Sequence, residues 1–199
     1  MDGGSSSLVL QVAMGVALAA CTGLRAFLPL LVVGVAGRLG LVGLGGSFQW
    51  LASSPALVVL GVAAVAEVLA DKIPIVDHLL DLIGGVVKPV AGSVLATAVL
   101  TAETPLPPVV LGVLAGGGSA GLVHLTKAKL RLFSSVTTAG IGNPFLSVGE
   151  DIASLFGSVL AVVIPVVLIG VVVATLVLFF VVRRRLHARA ANLGDANRR

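Results

Sequence analysis

Ionisable side chains stand inside stretches that otherwise read as bilayer-spanning, and few folds accommodate both. Glu67, Asp71, Lys72, Asp77, His78, Asp81 and Lys88 crowd one stretch between apolar runs. His124, Lys127, Lys129, Arg131, Glu150 and Asp151 fill a second, and Arg25 stands alone in a third. Charge beside hydrocarbon is costly unless it pairs or lines a wet cavity, which makes each of these a functional candidate. With 57% hydrophobic and 11% charged residues, and a mean hydropathy of +1.14, the chain has no polar shell for a soluble domain. A span needs about 20 apolar residues, so the length allows roughly five or six spans and no soluble domain beside them. The predicted fold is all-α, a polytopic helical membrane protein with broken or re-entrant segments. One transmembrane domain takes residues 1–182, and residues 183–199 form a basic tail.

The net charge of +4 is unevenly spread. Arg183, Arg184, Arg185, Arg189, Arg198 and Arg199 follow the apolar run 164–182. Such a cluster reads as a positive-inside anchor that holds the C-terminus in the cytoplasm. No fold or aromatic platform accompanies it, so nucleic acid is not an expected partner. Cys21 is the sole cysteine, which excludes an intrachain disulfide and a Cys-based zinc site. Leu18-Ala19-Ala20-Cys21 has the outline of a lipobox, but the leader before it carries an acid and no base. The apolar run also continues past Cys21, as expected of a buried thiol in a first membrane helix.

That run, residues 8–36, would reach roughly 43 Å as one straight helix, more than a bilayer core. It is either strongly tilted or broken near Gly23 or Pro29. Gly15, Ala19 and Gly23 recur every four residues, as do Gly112, Gly116 and Ala120. Faces of small residues let helices approach closely, within one chain or in a homo-oligomer. Gly40 to Gly46 is a glycine-rich connection, with Phe48 and Trp50 expected at the membrane interface. Ser53-Ser54-Pro55 marks a helix start and Pro74 a stop. A polar helix is expected from Ile75 to Ile83, then a break at Gly84-Gly85 and Pro89, then an apolar run to Leu100. Asn143 is read as the cap of a helix with Pro144 in its first turn.

The basic residues conflict over topology. If one span separates Lys127 and Arg131 from Arg183, the two clusters face opposite sides. Either residues 132–150 re-enter the membrane, the favoured account, or Lys127 and Arg131 face an internal cavity. A weak internal echo is also present. Residues 20–24 resemble 118–122, and Pro74 and Pro144 each precede an acid, Asp81 and Asp151, by seven residues. Weak repeats with broken helices that meet at a central site are a transporter trait, and chance in a chain with 25 glycines is the alternative.

Glu67 and Asp71 share a helix face, as do Asp77 and Asp81, with His78 three residues before Asp81. Folded about Pro74, Glu67, Asp71, Asp77 and Asp81 can converge with Asp151 as an oxygen-rich site for a cation or proton. A solvated interfacial helix is the competing account. His78 and Asp81 have the spacing of two metal ligands, which is not a site. Arg25, Lys72, Lys127 and Arg131 are the candidate counter-charges. Gly142 and Asn143 open a helix whose positive end suits an anion, as every helix start does. No nucleophile–base pairing or cofactor fingerprint is legible, so neither an enzyme nor a cofactor is expected.

Gly23-Leu24-Arg25-Ala26-Phe27-Leu28-Pro29-Leu30, Glu67, Ala70-Asp71-Lys72-Ile73-Pro74, Val76-Asp77-His78 and Asp81 form a pattern with Lys127, Arg131, Ser134, Thr138, Asn143-Pro144, Ser147 and Glu150-Asp151. Over residues 10–182 this resembles the bacterial membrane family known as domain of unknown function 4126. The resemblance implies a bacterial inner-membrane protein and supplies no substrate. A fainter resemblance is to cation/proton exchangers with a Glu-x-Gly-Asp-Lys motif; residues 67–72 have one residue more and no glycine. The expectation is a small transporter or channel for an ion or small polar solute, using a buried carboxylate cluster. The alternative is a non-transporting scaffold whose charges fix helix packing or partner contacts. A lipid-directed membrane enzyme lacks a readable catalytic set.

Overall fold

The computed structural model describes residues 3–101, 106–138 and 141–164, with Val171 and Thr175; at residues 3–7, 74, 75, 77 and 78 it describes the backbone alone. The basic tail and most of the last apolar run lie outside the described residues. All regular structure among the described residues is helical.

The first apolar run breaks where Arg25 interrupts it, giving α1 (Gly3–Leu24) and α2 (Phe27–Arg38). Gly40 then turns the chain at φ 71°, and the Leu41 N–H reaches back to the Ala36 carbonyl at 2.9 Å. Only glycine adopts that left-handed backbone cheaply. A 3-10 helix (Gly46–Ala52) leads into α3 (Ser54–Ala70) with a bend of 64°. Ser53 caps α3, its hydroxyl accepting the Ala56 N–H at 3.3 Å, and Pro55 sits in the first turn. Ile73 is extended, as the residue before proline prefers, and Pro74 opens α4 (Pro74–Val99).

Helix α4 corrects one expectation, because it runs unbroken through Gly84-Gly85 and Pro89. Proline persists inside membrane helices where neighbours hold the segment and re-satisfy its backbone. Here the helix next in the chain holds the segment, since a Cβ on Gly121 would stand 3.6 Å from Pro89 Cγ and one on Gly117 3.4 Å from the Pro89 carbonyl. Next, α5 (Pro108–Leu111), a π-helical turn (Gly112–Gly117) and α6 (Gly118–Thr138) form one continuous 31-residue helix. A short turn leads to α7 (Asn143–Val163). Asn143 is the first helical residue and not the cap; its Nδ2 donates to Ser135 Oγ at 2.9 Å, and Gly142 holds the cap position.

Both small-residue faces pack within the chain. Gly23 of α1 lies against Ala120 and Val123, Gly15 against Ala96, and Gly116 against Gly92 and Ala96. An added Cβ would stand 2.5 Å from its neighbours at Gly23 and Gly116 and 3.3 Å at Gly15, so α1, α4 and α6 are bound closely together.

Polarity is inverted relative to a soluble bundle. On α6, Ala120, His124, Lys127, Arg131 and Ser134 are buried, while Leu122, Leu125, Leu130, Leu132 and Phe133 face outward. On α7, Ser147, Ser154 and Ser158 are buried, and Phe145, Ile152, Phe156 and Val163 are exposed. Apolar exteriors this extensive suit hydrocarbon and not water. Three helices are long and apolar enough to cross a membrane, or up to four if the bent pair Gly46–Ala52 and Ser54–Ala70 counts as one. The chain is thus a membrane protein by the character of its helices. The expected five or six spans are not reached among the described residues, because α2 is only 12 residues long and the break at Arg25 divides the first run.

Lys127 and Arg131 point into the assembly at 3% and 5% exposure, and the Arg183 cluster lies outside the described residues.

Candidate functional site

The break between α1 and α2 is where charge gathers. Ending α1 at Leu24 leaves the first N–H groups of α2 without helical partners, and the broken end carries partial positive charge. Glu67, one turn before the end of α3, answers both needs. Its carboxylate accepts the Ala26 N–H at 2.8 Å and the Phe27 N–H at 3.1 Å. Glu67→Gln, which puts an amide N–H against one of those donors, is expected to cost about 1–2 kcal/mol in thermal unfolding.

Arg25 is 1% exposed and lies between α3 and α7. Its Nη2 meets Asp71 Oδ2 at 2.6 Å and its Nε meets Asp151 Oδ1 at 2.6 Å. Asp71 is the node of the network. Besides Arg25, its Oδ2 accepts from Arg131 Nη2 at 2.7 Å and Ser147 Oγ at 2.6 Å. Arg131 also bonds Glu150 at 2.9 Å, and Glu150 binds Lys127 at 2.9 Å. Lys72 closes the outer edge on Asp151 at 3.1 Å. Asp81 is held loosely, 3.8 Å from Lys127 and 3.7 Å from Arg131, and its side chain is 27% exposed. Charges this sheltered persist only when paired, and the chain supplies the partners from four helices and the break.

Beside the network is a cavity of about 50 Å³. Arg25, Glu67, Asp71, Asp81, Lys88 and Lys127 line it, with Leu80, Ile83 and Val87 as its apolar wall. Water needs about 10–15 Å³ of such space, so roughly three to five molecules fit.

A family model for domain of unknown function 4126 (DUF4126) matches residues 12–185. The chain belongs to that family. No curated protein and no solved structure matches it.

In this DUF4126 chain the expected acids Asp71, Asp81 and Asp151 meet the expected counter-charges Arg25, Lys72, Lys127 and Arg131 in one assembly, and Glu67 stands beside them on backbone N–H groups. The side chains of Asp77 and His78 lie outside the described residues. Among the described residues, no three His, Cys, Asp or Glu side chains gather as metal ligands. At the start of α7 the Gly142 N–H donates to Thr138 Oγ1 at 3.0 Å, so α6 already engages it. The echo reaches this site: Pro74 and Pro144 each stand in the first turn of a helix, and Asp81 and Asp151 both join the network.

Four further residues that the sequence does not place in the ion site join the assembly, although Lys88, His124 and Glu150 are among its ionisable candidates and Ser147 stands in the family pattern. Glu150 is the shared acceptor of Lys127 and Arg131, and Ser147, 1% exposed, bridges Arg25 and Asp71. Lys88 and His124 are each 5% exposed. Helical spacing held the clue, because Ser147, Glu150 and Asp151 share a face of α7, and His124, Lys127 and Arg131 share a face of α6.

Proposed function

We propose that this protein is a small, non-enzymic transporter or channel for an ion or small polar solute, with the charge network as its central site. The observation that carries the reading is a cavity of about 50 Å³, with room for several waters, walled by ionisable side chains inside a bundle whose exterior is apolar. Ionisable groups at such depth mark pathways in membrane proteins, and broken helices commonly border the site. The lipid bilayer is its partner. The plasma membrane, with the arginine-rich C-terminus in the cytoplasm, is its proposed location.

Asp81→Asn is the discriminating variant, since Asp81 faces the cavity and has the longest ion pairs. Flux through proteoliposomes is expected to fall about tenfold or more, as for loss of one charged group from a buried site. The thermal midpoint should stay within a few degrees of wild type. Wild-type flux in the variant would sink the reading.

A second reading, a scaffold whose charges fix helix packing, is favoured by the saturation of Asp71 and Glu67 with donors. It predicts that ion-pair variants lose stability while no solute ever moves.

A further inference from the structure

We infer that the cavity is an anion site, in which Lys88 binds one small monovalent anion with His124 and Lys127 beside it. The inference rests on the same cavity as the permeation reading, but it is a claim about binding.

The acids facing the cavity are supplied with donors by the protein itself. Both Glu67 oxygens take backbone N–H groups, one from Ala26 before α2 and one from Phe27 at its start. Asp71 takes Arg25, Arg131 and Ser147, and Asp81 lies between Lys127 and Arg131. Lys88 is different. It is 95% buried and lines the cavity, yet no carboxylate of the described residues lies within 4.0 Å of its ammonium. A buried charge without a partner is strongly unfavourable, and a bound counter-ion relieves that cost.

His124 adds a second polar group. It is equally buried, and its Nδ1 has no hydrogen-bond partner. Gly84 brings the two side chains together, because a Cβ there would stand 3.2 Å from His124 Cε1 and 3.3 Å from Lys88 Cε. Lys127 also faces the cavity and shares its charge between Glu150 and Asp81. Lys88 is therefore the cation of the cavity wall that no carboxylate of the described residues pairs within 4.0 Å. A space of about 50 Å³ holds a halide or a three- to four-atom oxoanion, and excludes a nucleotide or sugar phosphate.

Bromide is the probe. The full chain, purified in detergent, is titrated with bromide against gluconate at constant ionic strength while its thermal midpoint is followed. Wild type should show a saturable, bromide-specific rise. Lys88→Met should fold at least as well, having lost an unpaired charge, and should bind bromide about tenfold or more weakly. No bromide-specific rise in wild type, or an equal rise in K88M, overturns the site. Anomalous diffraction from wild-type crystals in bromide asks the same without a variant: a peak within hydrogen-bond reach of Lys88 Nζ supports the site, and its absence at saturating bromide overturns it. Flux separates the two claims. Bromide bound with no ion or solute moving sinks permeation and keeps the site. Cation flux indifferent to K88M, without bromide binding, sinks the site and keeps permeation.

Discussion

Asp71→Asn is expected to destabilise the protein by about 3–5 kcal/mol, the usual loss when one member of a buried ion pair is removed. The carboxylate is 2% exposed and its Oδ2 alone receives two guanidinium groups and a hydroxyl. Asparagine keeps the shape and an acceptor oxygen but removes the charge that faces Arg25 and Arg131. Those arginines come from the α1–α2 break and from α6, so the loss loosens the junction of three segments at once. Thermal unfolding in detergent measures it. A double-mutant cycle with Arg25→Met should show coupling above about 1 kcal/mol, because the second change removes a charge the first had already stranded. If Asp71 faced water, D71N would stay within about 0.5 kcal/mol of wild type.

That the acids and bases would meet was legible from their cost in an apolar chain, since burial without pairing is prohibitive. Local chemistry was equally legible. The break near Gly23, the Ser53 cap and the stop at Pro74 follow from backbone rules that need no tertiary knowledge. Partner choice was not. Glu67 looked like one of four converging acids, and its partners are two backbone N–H groups that exist only because α1 breaks nearby. The continuity of α4 was hidden for a related reason. Gly84-Gly85 and Pro89 are breakers in isolation, and only packing against α1 and α6 overrides them. The count of five or six spans is not confirmed, because Arg25 divides the first apolar run into α1 and the 12-residue α2 and most of the last apolar run lies outside the described residues.

Gly116→Leu is expected to cost more than Gly116→Ala, and even alanine should lose about 1–3 kcal/mol from overpacking. A Cβ at Gly116 would stand 2.5 Å from Ala96 Cβ and 2.5 Å from the Gly92 carbonyl, so α4 and the π-helical turn must part. Neither obstacle is a flexible side chain that can swing away. Ala96→Gly should recover only part of the loss in G116A, since the Gly92 carbonyl remains. Leucine should prevent docking of the two helices and yield aggregated protein by size exclusion. Gly118→Ala is the control, with nothing within 4 Å of its added methyl, and should gain up to about 1 kcal/mol from helix propensity. The consequence extends to the site. Lys88 lies one turn from Gly92 on α4, and His124 two turns from Gly116 along the helix that continues into α6. A wedge at Gly116 therefore separates Lys88, which lines the cavity, from His124 beside it. Bromide stabilisation should weaken in G116A in parallel with its thermal midpoint, and a full bromide response in a destabilised G116A would show that the anion is held elsewhere.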